Sequence, residues 1–482
     1  MRSAPLTVRA QTWRSVLLRL GAVATAVLTQ SLLARGLAPF AYGQFGTVTS
    51  NLQIVGQAAD LGSETTTIRY LGSDRRATTE ILAPLFTLKL IVAATALGLV
   101  VVAIVALRPS AGVSSVLMLA ALVLFAGALS SSRTQLIATG RSHELQGAAL
   151  IQALLNLGIV AACFAVAALT LSLAVGALVI ATFAGAGLLA HRAGWAPWTA
   201  RPSVSGARSL ARAAVPLGVA ASLAAIAYRI PTTLTLILLG ATAAGQFHAV
   251  YRWLDFAQIL PQNLMLALFP GLVRLATEDL GARAQYREMA TGLLVAGTWM
   301  AAALTVLGPG AARLLYGNSF SQAARIAPLV AWVLPPMFLS YAQGNMLIAK
   351  GLYRVQIYVA SASLTLALIA YPLLASTLGL HGAAVASLCV EYGTATVGTL
   401  LVWRSFRLLP LSVAGTRILL IPLALAIATA VLRPSAWLAV CVGLACGIGA
   451  LLALWQTAGS QPEPSGEIGH GALQRPDETA GS

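Results

Sequence analysis

The sequence predicts an all-α polytopic membrane protein of about 14 transmembrane helices, and three observations carry that reading. Of 482 residues only 9% are charged and 58% are hydrophobic, whereas a soluble domain carries about 25% and 45–50%. Apolar runs of about 20 residues, each long enough to cross roughly 30 Å of hydrocarbon, recur from residue 13 to residue 457. The basic residues gather in the short polar gaps between those runs. Solid apolar blocks also exclude an outer-membrane barrel, whose strands alternate polar and apolar side chains.

The spans follow in order. The first, 15–37, comes after a short basic tail (1–14) and is too long for the apolar region of a cleavable signal peptide. The second, 44–64, is closed by Arg69, Arg75 and Arg76; the third, 82–107, by Arg108; the fourth, 113–131, by Arg133 and Arg141. Spans 146–168 and 170–190 nearly touch. The Trp-containing stretch 191–212, with Arg192, Arg201, Arg208 and Arg212, is the longest inner linker and divides the chain into halves. Spans 213–239 and 244–272 nearly touch as well and end at Arg274, Arg283 and Arg287. Span 289–308 precedes Arg313 and Arg325, span 326–348 precedes Lys350 and Arg354, and spans 355–377 and 380–403 end at Arg404 and Arg407. Two last spans, 413–432 and 435–457, flank Arg433. The tail 458–482, rich in Gly, Pro, Ser and acidic residues, reads as disordered.

Charge sets the orientation. With the N-terminus in the cytoplasm, the inner side holds 21 of the 30 Lys and Arg, the outer side holds five and four lie within spans. That asymmetry places both ends in the cytoplasm. The net charge of +16 therefore reflects topology, and basic patches interleaved with aromatics, as nucleic-acid binding needs, are absent from the sequence. The four cysteines, Cys163, Cys389, Cys441 and Cys446, all lie in apolar segments without a CxxC and read as small core residues.

One internal echo stands out. Gly43-Gln44-Phe45 followed by Val48 recurs as Gly245-Gln246-Phe247 followed by Val250, each opening the second span of a half. The 202-residue offset crosses six spans, an even number, so both copies share one orientation. This is the signature of a parallel duplication about an axis along the membrane normal.

Ionisable residues inside a membrane are costly and face a cavity or a partner. Arg19 and Lys89 lie within the first turns of their spans, where a long side chain can snorkel to headgroups; Arg19 could equally face a cavity. Arg229, in Tyr228-Arg229-Ile230-Pro231, sits too deep for that and is expected to face a cavity. Arg252 and Asp255 are spaced i, i+3 and share a helix face with His248. They form either a structural ion pair or a cationic site for an anionic substrate, tuned by the carboxylate. Glu391, deep in the C-terminal half, either pairs with a basic residue of another span or binds a coupling proton or cation. Amides such as Gln30, Gln258 and Gln343 add hydrogen-bonding capacity. The excess of arginine favours an anionic ligand such as a phosphate, which Arg holds bidentately. The five histidines lack metal-ligand spacing, and neither a nucleophile elbow nor a phosphate-binding loop is present in the sequence. The sequence reads as a transporter with neither enzymatic activity nor a cofactor.

The stretch Leu32 to Pro39 through Tyr42-Gly43-Gln44-Phe45, then Asp60-Leu61-Gly62 and Ile68-Arg69-Tyr70, resembles the opening of polysaccharide (O-antigen/exopolysaccharide) flippases. Tyr228 to Pro270, Leu315-Tyr316-Gly317 and Gly379 to Glu391 continue the likeness over residues 15–405. Such flippases belong to the multidrug/oligosaccharidyl-lipid/polysaccharide exporter superfamily. The resemblance implies two six-helix bundles, 15–190 and 213–403, around a central cavity and related by a parallel pseudo-two-fold, with two helices added in 404–457. It implies movement of an undecaprenyl-diphosphate-linked glycan across the bacterial cytoplasmic (inner) membrane by alternating access. It also implies coupling to an H+ or Na+ gradient, membrane lipids as surroundings, and work beside a polysaccharide polymerase and chain-length machinery. Arg252 matches a basic position of the family and is expected to contact the pyrophosphate; Pro231 stands where the family often has a carboxylate. The implied substrate site is Arg229, Arg252, Asp255, Arg19 and Gln30, with Glu391 and Asp255 as ion-coupling residues. The rival readings are a peptidoglycan-precursor flippase, a multidrug antiporter of the same superfamily, in which cavity acids should prevail, and a membrane polysaccharide polymerase or ligase, which would need a larger outer loop.

Overall fold

The structure is a computed structural model. Its described residues are 8–60, 62–64, 66–68, 78–107, 111–195, 201–275 and 279–407, with a few between 421 and 449. Candidate spans 413–432 and 435–457 lie largely outside them, as does the tail 458–482.

The protein is all-α, with thirteen helices among the described residues. These are α1 (Val8–Asp60), α2 (Thr78–Leu107), α3 (Ala111–Leu129), α4 (Ser132–Ala138), α5 (Ser142–Ala165), α6 (Leu171–Ala193) and α7 (Val204–Leu239), then α8 (Ala241–Ala257), α9 (Ile259–Leu275), α10 (Asp279–Tyr316), α11 (Ser321–Ala331), α12 (Leu334–Ala349) and α13 (Tyr353–Phe406). Seven are long and apolar enough to cross a membrane, and nine spans result if each of two bent pairs is one crossing. Two of these helices fold back on themselves. Within α1, Ala38 leaves helical geometry (φ 54°, ψ 172°) just before Pro39. The Tyr42 hydroxyl then donates to Gln30 Oε1 at 2.9 Å, although twelve residues of straight helix would separate them by about 18 Å. Within α13 the break is Gly379 (φ 59°, ψ −137°), and Tyr371 meets Ser387 at 2.7 Å across it. Each of these helices therefore makes two of the predicted passes, with a reversal of one residue in place of a loop.

Other expected spans are single but broken. Span 244–272 is α8 plus α9, interrupted at Gln258, because Pro261 cannot donate to the carbonyl four residues back. Span 326–348 is α11 plus α12, bent by 48° just ahead of Pro335 and Pro336. The ends are capped where the sequence allows it. Thr170 accepts from Leu173 N at 3.3 Å to start α6, Ser203 accepts from Gly206 N at 3.2 Å to start α7, and Gly194 (φ 67°) closes α6 behind His191 and Arg192.

The echo seen in the sequence is an axis in the structure. Positions 202 apart repeat both conformation and contact. Ala38 corresponds to Gly240, and their backbones agree (φ 54°, ψ 172° against φ 85°, ψ 173°). A methyl placed on Gly43 would lie 1.9 Å from Ala241 O, and one on Gly245 would lie 1.9 Å from Pro39 O. Since Ala241 and Gly245 are the counterparts of Pro39 and Gly43, the contact is reciprocal, as a two-fold requires. Packing follows the same rule: α1 lies along α5 in the first half, and α7 lies along α13 in the second. Aromatic side chains gather around this axis. Tyr42, Phe247, Phe320 and Tyr371 are fully buried, with Tyr42 edge-on to Phe320 at 5.6 Å and Phe247 edge-on to Tyr371 at 6.3 Å. Leu99, Val105, Ile237 and Leu373 project outward with more than half their surface exposed, which suits an acyl-chain environment.

Candidate functional site

Calling the side where α1 begins the near face, the helix directions place Arg229, Arg252 and Asp255 well inside the bundle. Arg229 comes from α7 and the other two from α8, within the two turns before the break at Gln258. Arg229 Nη1 is 2.8 Å from Asp255 Oδ1 and 2.9 Å from Oδ2. Arg252 Nη1 donates to Oδ2 at 2.8 Å. The Tyr228 hydroxyl donates to Oδ1 at 2.9 Å, and Gln258 Nε2 does so at 3.2 Å. One carboxylate thus gathers two guanidiniums, a phenol and an amide, in surroundings where the three charged side chains expose 10–21% of their surface. Two positive charges against one leave the cluster cationic. Arg252 Nε is buried and without a partner among the described residues, so this guanidinium keeps a donor in reserve.

The network runs on from there. Gln258 Nε2 reaches the Tyr228 hydroxyl at 3.1 Å, Tyr341 of α12 donates to Gln258 Oε1 at 2.8 Å, and Gln262 Nε2 donates to Tyr341 at 3.0 Å. Tyr228, Gln258 and Tyr341 form one wall of a cavity of about 430 Å³ between α7, α12 and α13. Asn345, Gln356 and Glu391 line the rest of it. Glu391 has neither ion pair nor hydrogen bond among the described residues, so the ion partner its burial invites is not supplied by them.

The expected site residues separate into groups. Arg229, Arg252 and Asp255 converge, with Glu391 in the adjoining cavity. Arg19 lies apart, donating from α1 to Asn263 Oδ1 of α9 and so tying the two halves near the near face. Gln30 is 8% exposed and accepts from Tyr42, which makes it a brace across the α1 reversal. His248 does not join the carboxylate; its ring packs against Gly46 and lies tilted against Tyr42, with ring centroids 5.4 Å apart. Gly46 is its own counterpart 202 residues earlier, so this pair sits on the axis.

Sequence reasoning passed over a second charged cluster. Lys89 does not snorkel: Nζ lies 3.5 Å from Asp60 and 3.8 Å from Glu64, and Arg133 Nε lies 3.4 Å from Glu64. All four line a cavity of about 530 Å³ in the N-terminal half. The i, i+4 acids at 60 and 64 were the available signal. At the far face the halves are tied instead by Arg35, which donates to the carbonyls of Leu314 and Leu315 in the last turn of α10, where Ser31 also donates to Leu315 O. Both cavities draw their walls from the near-face portions of the helices, while glycine contacts and carbonyl clamps tie the halves together at the far face.

The comparisons agree with this architecture. The profile of a family described as "Polysaccharide biosynthesis protein" matches residues 15–276, more than half the chain. Among solved structures, a lipid II flippase, MurJ, in an inward closed conformation superposes with a TM-score of 0.68 at 10% identity, covering 93% of this chain and 99% of that one. An inward-facing multidrug resistance MATE family transporter of the MOP superfamily gives 0.63 at 14% identity over 81% and 98%. A MOP superfamily transporter from Pyrococcus furiosus, described as having a binding pocket of reversed polarity, gives 0.56 at 14% over 82% and 95%. No curated protein sequence matches. The fold is that of MOP superfamily transporters, and the chain is a multi-pass membrane protein.

Proposed function

The chain belongs to the polysaccharide biosynthesis protein family, and from that premise we propose that it is a flippase that moves an undecaprenyl-diphosphate-linked oligosaccharide across the inner membrane for surface polysaccharide assembly. The observation that carries this reading is the Arg229–Asp255–Arg252 cluster, net cationic and deep in the bundle. A diphosphate crossing hydrocarbon alone would leave its charges and the sugar hydroxyls stripped of water, at prohibitive cost. Arg252, whose side chain keeps 21% of its surface exposed, would hold the diphosphate by charge-assisted bonds. The tyrosines and amides of the adjoining cavity would replace water on the hydroxyls while the prenyl tail stays in lipid.

In this account the chain is a transporter, not an enzyme, with both termini cytoplasmic and the near face inward. The two halves rock about the Gly43–Gly245 contact to expose the site alternately. A polysaccharide polymerase and chain-length machinery would take the product on the far side. Glu391, in the adjoining cavity and without an ion pair among the described residues, would bind the coupling H+ or Na+. The same acid favours a multidrug antiporter, which would bind a cation there.

Binding to the purified protein separates the two. Undecaprenyl diphosphate should compete at least 10-fold better than undecaprenol, with the advantage lost in Arg252→Gln. Equal competition by the uncharged lipid, with saturable binding of a cationic dye abolished by Glu391→Gln, would replace the flippase reading by the antiporter.

A further inference from the structure

The second cluster has a different chemistry from the first. Asp60, Lys89, Glu64 and Arg133 form an alternating chain in which Lys89 sits between the two acids and Glu64 between the two bases. The members are not in close contact. Their separations of 3.4–3.8 Å exceed the 2.7 Å of the Arg141–Glu144 pair and the 2.8 Å contacts at Asp255. Asp60, Glu64 and Lys89 nevertheless expose only 14–22% of their side chains, so water does not fully compensate them. They surround a cavity of about 530 Å³.

The two ends of the chain are unsaturated and opposite in sign. Asp60 accepts from Ser63 Oγ at 3.0 Å, from Glu64 N at 3.2 Å and faces Lys89, all through Oδ1; Oδ2 has no partner among the described residues. Arg133 has Glu64 as its one acidic partner there, is half exposed, and lies close enough to Arg19 for the two charges to repel. A simple anion at Arg133 would lie beside the carboxylate of Glu64. A simple cation at Asp60 would lie beside the ammonium of Lys89. A ligand with both signs meets neither penalty.

We infer that the N-terminal cavity between α1, α2, α3 and α4 binds a zwitterionic headgroup, its ammonium donating to Asp60 and its phosphate or carboxylate held by Arg133. This goes beyond the transport reading and does not depend on it. Phosphoethanolamine chemistry fits the cavity, whether it arrives on a membrane lipid or as part of a zwitterionic saccharide.

Calorimetric titration of the full chain in detergent tests this. Glycerophosphoethanolamine should bind at least 10-fold more tightly than glycerol phosphate or ethanolamine, and Asp60→Asn and Arg133→Gln should each remove that preference. Arg133 is exposed enough for its variant to fold, so it decides the matter if the Asp60 variant does not. Equal affinity for glycerol phosphate, equal affinity for ethanolamine, or no saturable binding of the zwitterion would each overturn the assignment. Native mass spectrometry then identifies the source. Retention of phosphatidylethanolamine over phosphatidylglycerol assigns a lipid, and preference for the soluble zwitterion without lipid selectivity assigns a saccharide.

Discussion

Gly43 and Gly245 touch backbone to backbone across the pseudo-two-fold, each facing the carbonyl that precedes the other by four residues. Only residues without a Cβ permit that approach, and the opposing atoms are main-chain oxygens that cannot rotate away. Gly43→Ala or Gly245→Ala should therefore destabilise the protein by at least the roughly 1–3 kcal/mol typical of overpacking. Thermal unfolding in detergent reads this directly. Gly56, whose added methyl would meet nothing within 4 Å, is the control, and Gly56→Ala should leave the transition in place or raise it.

The reversals at Ala38 and Gly240 share one backbone geometry, yet only one of them is glycine. Ala38 is held at φ 54°, ψ 172°, where a side chain is strained by about 1–3 kcal/mol. Ala38→Gly should stabilise the protein by about 1 kcal/mol after glycine's entropic cost of roughly 0.5–1 kcal/mol. Gly240→Ala should destabilise it. The same unfolding measurement checks both signs.

Within the arginine cluster the partners are unequal. Asp255→Ala leaves Arg229 and Arg252 adjacent and uncompensated, an outcome worth about 3–5 kcal/mol for a buried pair. Arg252→Ala leaves Asp255 paired with Arg229 and should cost only about 1.5–3 kcal/mol, the value of a charged hydrogen bond. The order of the two unfolding midpoints is the test, and transport should fall in both.

Glu391 makes no ion pair among the described residues, and a buried charge without a partner is costly, so Glu391→Gln should leave the unfolding midpoint in place or raise it. If the residue binds the coupling ion, transport by this variant should lose its dependence on the H+ or Na+ gradient. Retained dependence would place coupling elsewhere.

Much of this was legible in the sequence. Block length located the passes made by the described helices, and four identities at one offset marked the axis. The i, i+3 spacing of Arg252 and Asp255 announced their pairing. What spacing along one helix does not encode is the partner on another. Arg229 was placed at depth correctly, but its bond to Asp255 crosses from α7 to α8. Lys89 near a span end suggested snorkelling, and only the fold brings Asp60, the last residue of α1, and Glu64 beyond it to the ammonium. His248 shares a face with Arg252 yet turns to the axis, because Gly46 opens room for its ring. The breaks at Ala38 and Gly379 fall in the gaps read between spans 15–37 and 44–64 and between spans 355–377 and 380–403, but a short gap does not show that a single residue reverses the chain.

The most direct test of the central claim is the leaflet occupied by lipid-linked oligosaccharide in a strain lacking this protein. Completed undecaprenyl-diphosphate oligosaccharide should accumulate on the cytoplasmic leaflet, with surface polymer lost and restored by the wild-type chain but not by Arg252→Glu. Completed units already on the outer leaflet and left unpolymerised would contradict the flippase account.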